Sequence, residues 1–356
     1  MKILHSADWH MDSPLVGRTA EQTVLLRKQL LALPGKVMTA AKNEGCDLVL
    51  LSGDLFDGAC SAESIAALKT ALAETEIPVC IAPGNHDYVS PSSPWAVENW
   101  PANVHIFTKN AITSVAFPAL NCRVYGAAFT GTDAPSLLDG FRADCTERYA
   151  VGVLHGDPTQ NNSPYCPVSA EQVENSGLDY LALGHIHKGG EFRAGSTLCA
   201  WPGCPQGRGF DELGEKGVRI VTLEETAESR FLPLDTVRFY DLEAEVTTDP
   251  TAALAAVLPP VGSDDLYRVT LTGESNPIDL IALAEQFARF PNLELRDRTV
   301  PPLDIWGSAG DDTLEGVYFG LLHAAMENQD EKTAAWVHLA AKISRQILNG
   351  QEVKLP

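Results

Sequence analysis

Five short polar motifs, each directly after an apolar run, carry side chains that can bind metal ions. The motifs are Asp8-Trp9-His10, Gly53-Asp54, Gly84-Asn85-His86-Asp87, His155-Gly156-Asp157 and Gly184-His185-Ile186-His187. Imidazoles, carboxylates and an amide suit zinc, iron and manganese, and the motifs contain no thiol. Any one of them could be a turn or a polar surface loop. Five in succession, each after an apolar run, predict a shared site for two metal ions.

The apolar runs predict strands that would bring these motifs together. Residues 2–5, 47–51, 78–82, 149–154 and 180–183 read as strands, and a motif follows each one. In α/β sheets, ligand sites form beyond the carboxyl ends of the strands, so the five turns are expected to meet in one crevice. Alternation along an extended segment would place both side chains of Asp8-x-His10, and both of His185-x-His187, on one side.

The remaining pattern predicts a mixed α/β fold and not a purely parallel sheet. Helical spacing occurs at 23–43 and 62–73, and a later antiparallel hairpin is expected at 218–223 and 230–234. After residue 235 the pattern runs strand, helix, strand, helix, strand to about residue 299, and two helices follow at about 313–327 and 331–348. The predicted domains are residues 1–235, 236–302 and 303–356.

The composition limits the classes of function. A chain of 356 residues is long for one ordinary domain. The net charge of -21 counts against a surface that binds nucleic acid unaided. No run approaches the roughly 20 apolar residues of a membrane span, and no secretory signal is recognised. None of the eight cysteines forms a Cys-x-x-Cys pair, so reduced thiols and a cytoplasmic location are expected.

The order and spacing of the motifs resemble those of the calcineurin-like metallophosphoesterases, and more narrowly the DNA repair exonucleases of the SbcD and YhaO type. The resemblance covers about residues 1–235. It is carried by Ile3-Leu4-His5-Ser6-Ala7-Asp8-Trp9-His10, by Leu51-Ser52-Gly53-Asp54-Leu55-Phe56-Asp57 and by Pro83-Gly84-Asn85-His86-Asp87. Residues 12–15, 201–208 and 214–217 are similar to the YhaO branch.

This resemblance implies an α/β (α+β) fold: a calcineurin-like phosphoesterase β-sandwich flanked by helices, a smaller C-terminal α/β cap domain over the metal cleft, and terminal helices. It also implies roles for individual residues. One metal would be held by Asp8, His10 and His187, the other by Asn85, His155 and His185, with Asp54 bridging them. His86 would lie over the phosphate, and Asp87 would orient its ring.

The implied function is a dinuclear metal-dependent phosphodiesterase, namely the DNA exo- or endonuclease component of an SbcCD-like repair complex. Manganese is expected in preference to iron or zinc. DNA and an SbcC-like coiled-coil ATPase are the expected partners, a homodimer is left open, and no membrane is expected. The motifs alone leave open a phosphodiesterase or phosphatase for small nucleotides or phosphoproteins. A mainly structural role, in which the terminal helices dock a partner, is the third hypothesis.

The two terminal helices each show an apolar stripe at helical spacing. The first stripe consists of Leu314, Val317, Tyr318, Leu321 and Leu322, and the second of Ala335, Trp336, Leu339, Ala340, Ile343 and Ile347. The stripes could pack on each other and on the cap domain. Alternatively, part of this surface could dock the coiled coil of the ATPase that the resemblance implies.

Overall fold

The computed structural model describes residues 1–327, 329–350 and 353, and the chain divides into two compact units. The first unit consists of Met1–Asp241, Ser263–Tyr267 and Phe290–Asn292. The second consists of Leu242–Gly262, Arg268–Arg289 and the chain from Leu293 onward. The second unit thus includes residues from both predicted C-terminal domains. The assignment of residues 236–302 as a cap stays a prediction.

The first unit is built on two six-stranded sheets. Its strands are β1 (Lys2–Ser6), β2 (Leu48–Leu51), β3 (Val79–Ile81), β4 (Val104–Ile106), β5 (Thr113–Phe117), β6 (Cys122–Gly126), β7 (Tyr149–His155), β8 (Tyr180–Gly184), β9 (Lys188–Ala194), β10 (Thr197–Gly203), β11 (Gly217–Leu223) and β12 (Ala227–Pro233). The first sheet has the order β12-β11-β1-β2-β3-β4 and the second β5-β6-β7-β8-β10-β9. Strands β1 to β4 are parallel, as are β6 to β8, whereas β11 and β12 form the predicted antiparallel hairpin.

Four helices belong to the first unit. They are α1 (Ala20–Asn43), α2 (Ala62–Ala73), α3 (Pro94–Val97) and α4 (Ala170–Asn175). Helix α1 begins at a capping box, in which the Thr19 hydroxyl and the Gln22 side chain each accept from the other's backbone N–H. It continues past Pro34 to Asn43.

The two sheets pack face to face, because successive side chains of a strand point to opposite faces. Ile3 and Leu50 of the first sheet belong to the same buried core as Val151 of the second sheet. Leu4 points the other way and packs in a separate core with Val37 of α1. The central parallel strands are therefore buried on both faces, which explains why their sequences are continuous apolar runs.

This architecture confirms the predicted fold class, a β-sandwich flanked by helices. Strands β9 and β10 and the short helices α3 and α4 are additions that the sequence did not predict. Strand β9 carries Gly189 and Gly190 and exposes alternate residues at the edge of the second sheet, so it lacks the apolar run that marks the other strands.

The second unit contains four helices and most of a small sheet, whose strands β13 and β14 begin in the first unit. The remaining elements are β13 (Phe239–Val246), α5 (Pro250–Val257), β14 (Leu266–Gly273), α6 (Leu280–Glu285), β15 (Leu293–Asp297), α7 (Leu314–Met326) and α8 (Glu331–Leu348). Strand β14 lies between β13 and β15. No helix in the described part of the chain is both long enough and apolar enough to cross a bilayer.

Helices α7 and α8 pack through fewer residues than the apolar stripes predict. Phe319 and Ala341 are buried with Ile305, and the Arg345 guanidinium lies 3.8 Å from the centroid of the Phe319 ring. The stripe residue Leu314, in contrast, is 90% exposed. Most of the first stripe therefore faces away from the core that joins the helices.

Candidate metal centre

The five motifs follow the ends of β1, β2, β3, β7 and β8, as the sequence predicts. In the first sheet β1, β2 and β3 are parallel neighbours, and in the second β7 and β8 are parallel neighbours. Their carboxyl ends meet where the two sheets face each other. Contacts between the two sheets show this: Nδ1 of His155 lies 2.9 Å from the carbonyl oxygen of Ser52, and the backbone N–H of His185 donates to Oδ1 of Asp8.

The backbone at several predicted ligands is left-handed and not extended. The φ angles are 56° at Asp8, 47° at His10, 51° at Asp54 and 96° at His185. Strand alternation therefore does not explain why Asp8 and His10 point into one site, and that sequence argument is wrong. A left-handed turn aims both side chains, and the N–H of His10 fixes the turn by donating to the carbonyl of Asp54.

Glycines next to the predicted ligands leave no room for a side chain. A Cβ at Gly84 would lie 2.2 Å from Oδ1 of Asp54, and one at Gly184 would lie 2.0 Å from the carbonyl oxygen of Ser52. A Cβ at Gly53 would lie 2.7 Å from Nδ1 of His155. These positions admit the close backbone approach that brings the ligand side chains together.

Asp8, His10 and His187 form one half of the cluster. Each offers a ligand atom, and the three atoms lie within 4.8 Å of one another. The Nε2 atoms of His10 and His187 are 3.1 Å apart. Two imidazole nitrogens this close share either a proton or a cation, and a metal ion can take the place of the proton, so this geometry fits metal binding.

His155, Asn85 and Asp54 form the other half of the cluster. Nε2 of His155 lies 3.0 Å from Oδ1 of Asn85 and 3.3 Å from Oδ2 of Asp54. The same Oδ2 lies 3.7 Å from Nε2 of His10, so it faces both halves. Oδ1 of Asp54 instead accepts from the backbone N–H of His86 at 2.9 Å.

The ring of His185 packs next to this second half. It lies 5.3 Å from the ring of His155 and 4.7 Å from that of Tyr165, centroid to centroid. The backbone N–H of His185 donates to Oδ1 of Asp8 at 2.9 Å. All seven predicted ligands thus lie in one cluster linked by contacts, while their roles as ligands stay a prediction.

The charges in the cluster are strongly coupled. Burial by itself lowers the pKa of His155, but the carboxylate of Asp54 outweighs it and raises that pKa to about 9. Burial alone would raise the pKa of Asp54, yet the charge and hydrogen bond of His155 hold it well below its usual range. Burial lowers the pKa of His10. A cation that replaces the proton of His155 would supply the same compensation to Asp54, and metal binding is then accompanied by proton release.

An unpaired oxygen gives an independent test of whether metals fit. Oδ2 of Asp8 is buried and has no hydrogen-bond partner among the described residues. A buried carboxylate oxygen without a partner is costly, so such groups are normally paired or bound to a metal. The donor set and this unpaired oxygen together fit two divalent cations.

His86 lies at the exposed side of the cluster, and its partner differs from the predicted one. Nδ1 of His86 contacts Oδ1 of Asp57 at 2.8 Å, and this hydrogen bond raises the pKa of His86. Asp87 does not orient the ring. Its carboxylate is buried and accepts the backbone N–H groups of Gly84, Leu55 and, more weakly, Asp54 and Phe56.

Asp87 therefore supports the loop between β3 and α3 and does not face substrate. Burial raises the pKa of Asp87, and the charge on Asp54 raises it further. The backbone N–H bonds lower the pKa, but they do not outweigh these two effects, and the pKa is about 7. The sequence did not predict the contact between Asp57 and His86. Asp57 lies in the turn after Asp54, and an aspartate in a turn is common without any functional role.

Glu212 and Arg208 form a second support that the sequence did not reveal. Oε1 of Glu212 lies 2.7 Å from Nδ1 of His187 and accepts from the Arg208 guanidinium at 2.6 Å. Glu212 is 6% exposed. Burial would raise its pKa, but His187 and Arg208 together hold the pKa well below its usual range. The carboxylate thus fixes the ring so that Nε2 faces His10.

We expect Glu212→Gln to weaken metal binding at the half that contains His187. Partners that orient ligand imidazoles typically contribute 10- to 100-fold in metal affinity, because they fix the ring and raise its basicity. Manganese titration by calorimetry would measure the loss. Glu191→Gln is the matched control, since Glu191 also pairs with an arginine but lies outside the cluster. Equal affinities in Glu212→Gln and wild type would contradict this role.

His5, although close in sequence, belongs to the core and not to the cluster. Its ring nitrogens lie 2.7 Å from the Tyr180 hydroxyl and 2.7 Å from the Ser52 hydroxyl. Burial lowers its pKa to about 3, so the ring is neutral and structural.

The chain belongs to the calcineurin-like phosphoesterase family, whose family model matches residues 1–189. That range contains every predicted ligand. The family consists of phosphoester hydrolases that bind two divalent metal ions, in agreement with the cluster described above.

Two curated proteins of Bacillus subtilis (strain 168) are similar to the chain. It is 32% identical over 234 residues to the uncharacterized metallophosphoesterase YhaO, a match that covers 62% of this chain and 57% of that protein. It is 28% identical over 269 residues to the SbcD component of the SbcCD nuclease, covering 62% of this chain and 66% of that protein. The chain therefore spans less than two thirds of either relative. These matches confirm the resemblance to the SbcD and YhaO type.

Proposed function

We propose that this protein is a dinuclear metal-dependent phosphodiesterase that cleaves DNA as the nuclease component of a larger complex. The observation that carries the proposal is the cluster of the seven predicted ligands, with His86 beside it and the unpaired Oδ2 of Asp8 within it. The similarity to a component of a nuclease favours DNA among phosphodiester substrates.

We assign the ligands to two ions. Asp8, His10 and His187 would hold one ion, and Asn85, His155 and His185 would hold the other. Asp54 would bridge them, because its Oδ2 faces His10 of one half and His155 of the other. Mixed imidazole and oxygen donors without thiolates fit manganese, with iron or zinc as alternatives.

The side chains around the ions then have distinct tasks. Two cations held there would supply Lewis-acid polarisation of the phosphate and would offset the charge of the surrounding carboxylates. His86 is held through Nδ1 by Asp57, which leaves Nε2 free to face substrate. With its pKa raised, His86 carries a proton near neutral pH more often than an ordinary histidine. It can therefore donate that proton to a leaving alkoxide or stabilise charge on the phosphate.

A second candidate function is hydrolysis of small nucleotides or phosphoproteins. The net charge of -21 favours it, because a surface this acidic repels the DNA backbone. A partner that supplies a basic surface would remove this objection to DNA.

Purified protein assayed on labelled single- and double-stranded DNA, with manganese or with chelator, distinguishes these functions. DNA cleavage that requires manganese and is lost in His86→Ala supports the proposal, and the variant also excludes a contaminating nuclease. Hydrolysis of mononucleotide esters or phosphopeptides without cleavage of either DNA would establish the second candidate instead.

We further propose that the second unit docks an SbcC-like coiled-coil ATPase through α7 and α8. Leu314, Leu321 and Trp336 are 90%, 67% and 63% exposed, although they lie on apolar stripes. Leu314 lines one groove together with Ile347 and Leu348 of α8, and a contiguous group of exposed apolar residues commonly marks a protein interface. Docking of a helix on such a surface uses anchors at helical spacing, which Leu314 and Leu321 provide.

The double variant Leu314→Asp and Leu321→Asp is expected to abolish co-purification with the co-expressed ATPase. Two buried charges in an apolar interface are strongly unfavourable, whereas both side chains are exposed in the isolated chain, so folding should be unaffected. Ile281→Asp is the matched control, because Ile281 is 76% exposed on α6. Normal co-purification by the double variant would disprove docking at this surface.

A cytoplasmic location is proposed on the state of the cysteines. All eight are free thiols. Reduced thiols are typical of the cytoplasm, where glutathione and thioredoxin oppose disulfides.

A further inference from the structure

A cavity of about 350 Å³ lies beside His86 in the first unit. Its walls come from the turn after Asp57, including Gly58 and Cys60, and from the loop that runs from His86 to Val97. Both segments directly follow metal-binding motifs. A group that occupied this cavity would therefore adjoin a phosphate held at the metal centre.

The chemistry of the walls suits a neutral, planar group with polar edges. The lining residues include no lysine and no arginine, and their one basic side chain is His86 at the edge that faces the metal centre. Tyr88 is 36% exposed, and within the described chain its hydroxyl has no hydrogen-bond partner. Val97, which is 60% exposed, adds an apolar wall, and the Ser90 and Ser92 hydroxyls add polar groups.

The cavity is held in shape before any ligand arrives. The Ser93 hydroxyl donates to the carbonyl of Ser90 at 3.0 Å and accepts from its N–H at 3.1 Å. The Trp95 indole N–H donates to the carbonyl of Asp87, whose buried carboxylate anchors the start of the loop. A preformed site loses little entropy when a ligand binds.

We propose that this cavity is a nucleoside subsite, in which the base of a nucleotide stacks on Tyr88 while its phosphate lies at the metal centre. The inference rests on the proposed phosphodiesterase function and specifies its substrate as a nucleotide ester. Every base has a π-face, so a stacking site of this kind accepts different bases and suits an enzyme that acts along a nucleic acid strand. Phosphoserine and phosphothreonine present no such group next to their phosphates.

Binding of product-like ligands tests the subsite without depending on turnover. Manganese-loaded protein is dialysed to equilibrium against thymidine 5′-monophosphate or 3′-monophosphate, and separately against 2-deoxyribose 5-phosphate, with each ligand checked for hydrolysis. A stacked base should improve affinity on the order of tenfold over the sugar phosphate. Tighter binding of either nucleotide than of the sugar phosphate supports the subsite. Whichever of the 5′- and 3′-monophosphates binds more tightly shows on which side of the phosphate the subsite holds a nucleoside.

Variants locate the effect. Tyr88→Ala should lose most of the preference for thymidine nucleotides, Tyr88→Phe should keep it, and Val97→Trp should lose it by filling the cavity. Equal binding of nucleotides and sugar phosphate by wild type, or equal losses for both ligands in Tyr88→Ala, would overturn the subsite. DNA cleavage without base preference removes only the subsite, whereas base preference without hydrolysis of any diester removes only the proposed function.

Discussion

Asp54→Ala is expected to lose both metal ions, reducing the content from close to two equivalents per chain to close to none. Oδ2 of Asp54 faces His10 at 3.7 Å and His155 at 3.3 Å, so one oxygen serves both halves of the cluster. Its removal also leaves His155 without the carboxylate that compensates its charge. Elemental analysis after mild manganese loading measures the change directly.

Asp157→Asn provides the control for this experiment. Asp157 is also a buried carboxylate in one of the five motifs, but it accepts from Thr159 and has no assigned ligand role. It should retain both equivalents. Full metal content in a folded Asp54→Ala protein would refute the bridging assignment, and loss of one equivalent would restrict Asp54 to a single ion.

His86→Ala is expected to lower turnover of diesters with poor leaving groups on the order of 10²-fold or more, while metal content stays at two equivalents. The ring contacts Asp57 through Nδ1, and its side chain is 46% exposed, so its removal should not disturb the fold. The measurement is kcat on a dinucleotide together with elemental analysis. An activated leaving group is expected to show a smaller effect, because it needs little protonation.

The metal content in this variant separates two roles for His86. Its ring could also join His10 and Asp54 as a ligand, since ligand atoms of the three lie within 4.8 Å of one another. Loss of metal from His86→Ala would make it a ligand, and near-normal turnover would remove it from the mechanism. His105→Ala is the control, because His105 lies on β4 and packs against Phe107 outside the cluster.

The position of the cluster could be predicted from the sequence because it depends on strand ends. Apolar runs mark buried parallel strands, and the first polar residue beyond each run must lie at the sheet edge. This reasoning needs no knowledge of the turns. The strand ends alone therefore predict that Asp54 and His155, which are 101 positions apart in sequence, lie in one site. Their backbone geometry is not needed for this prediction.

The residues that support the ligands could not be predicted in the same way. Glu212 follows no predicted strand, and only the folded chain brings it to His187. Asp57 lies three positions after Asp54, and Asp87 lies directly after His86. The sequence alone does not decide which of these two carboxylates contacts the ring of His86. The exposure of Leu314 could not be predicted either, because an apolar stripe in the sequence does not show which of its residues are buried.

The left-handed backbone at four of the proposed ligands has a consequence for how this fold evolves. Such conformations cost non-glycine residues on the order of 1 kcal/mol or more each, and Asp8, His10, Asp54 and His185 all adopt them. A descendant that no longer needs hydrolysis would gain stability by exchanging these residues for glycine or asparagine. Gly84 and Gly184, in contrast, have no space for a Cβ and would be retained. In relatives that have lost catalysis, the ligand positions should therefore be substituted first. The neighbouring glycines should remain unchanged and mark the place of the former active site.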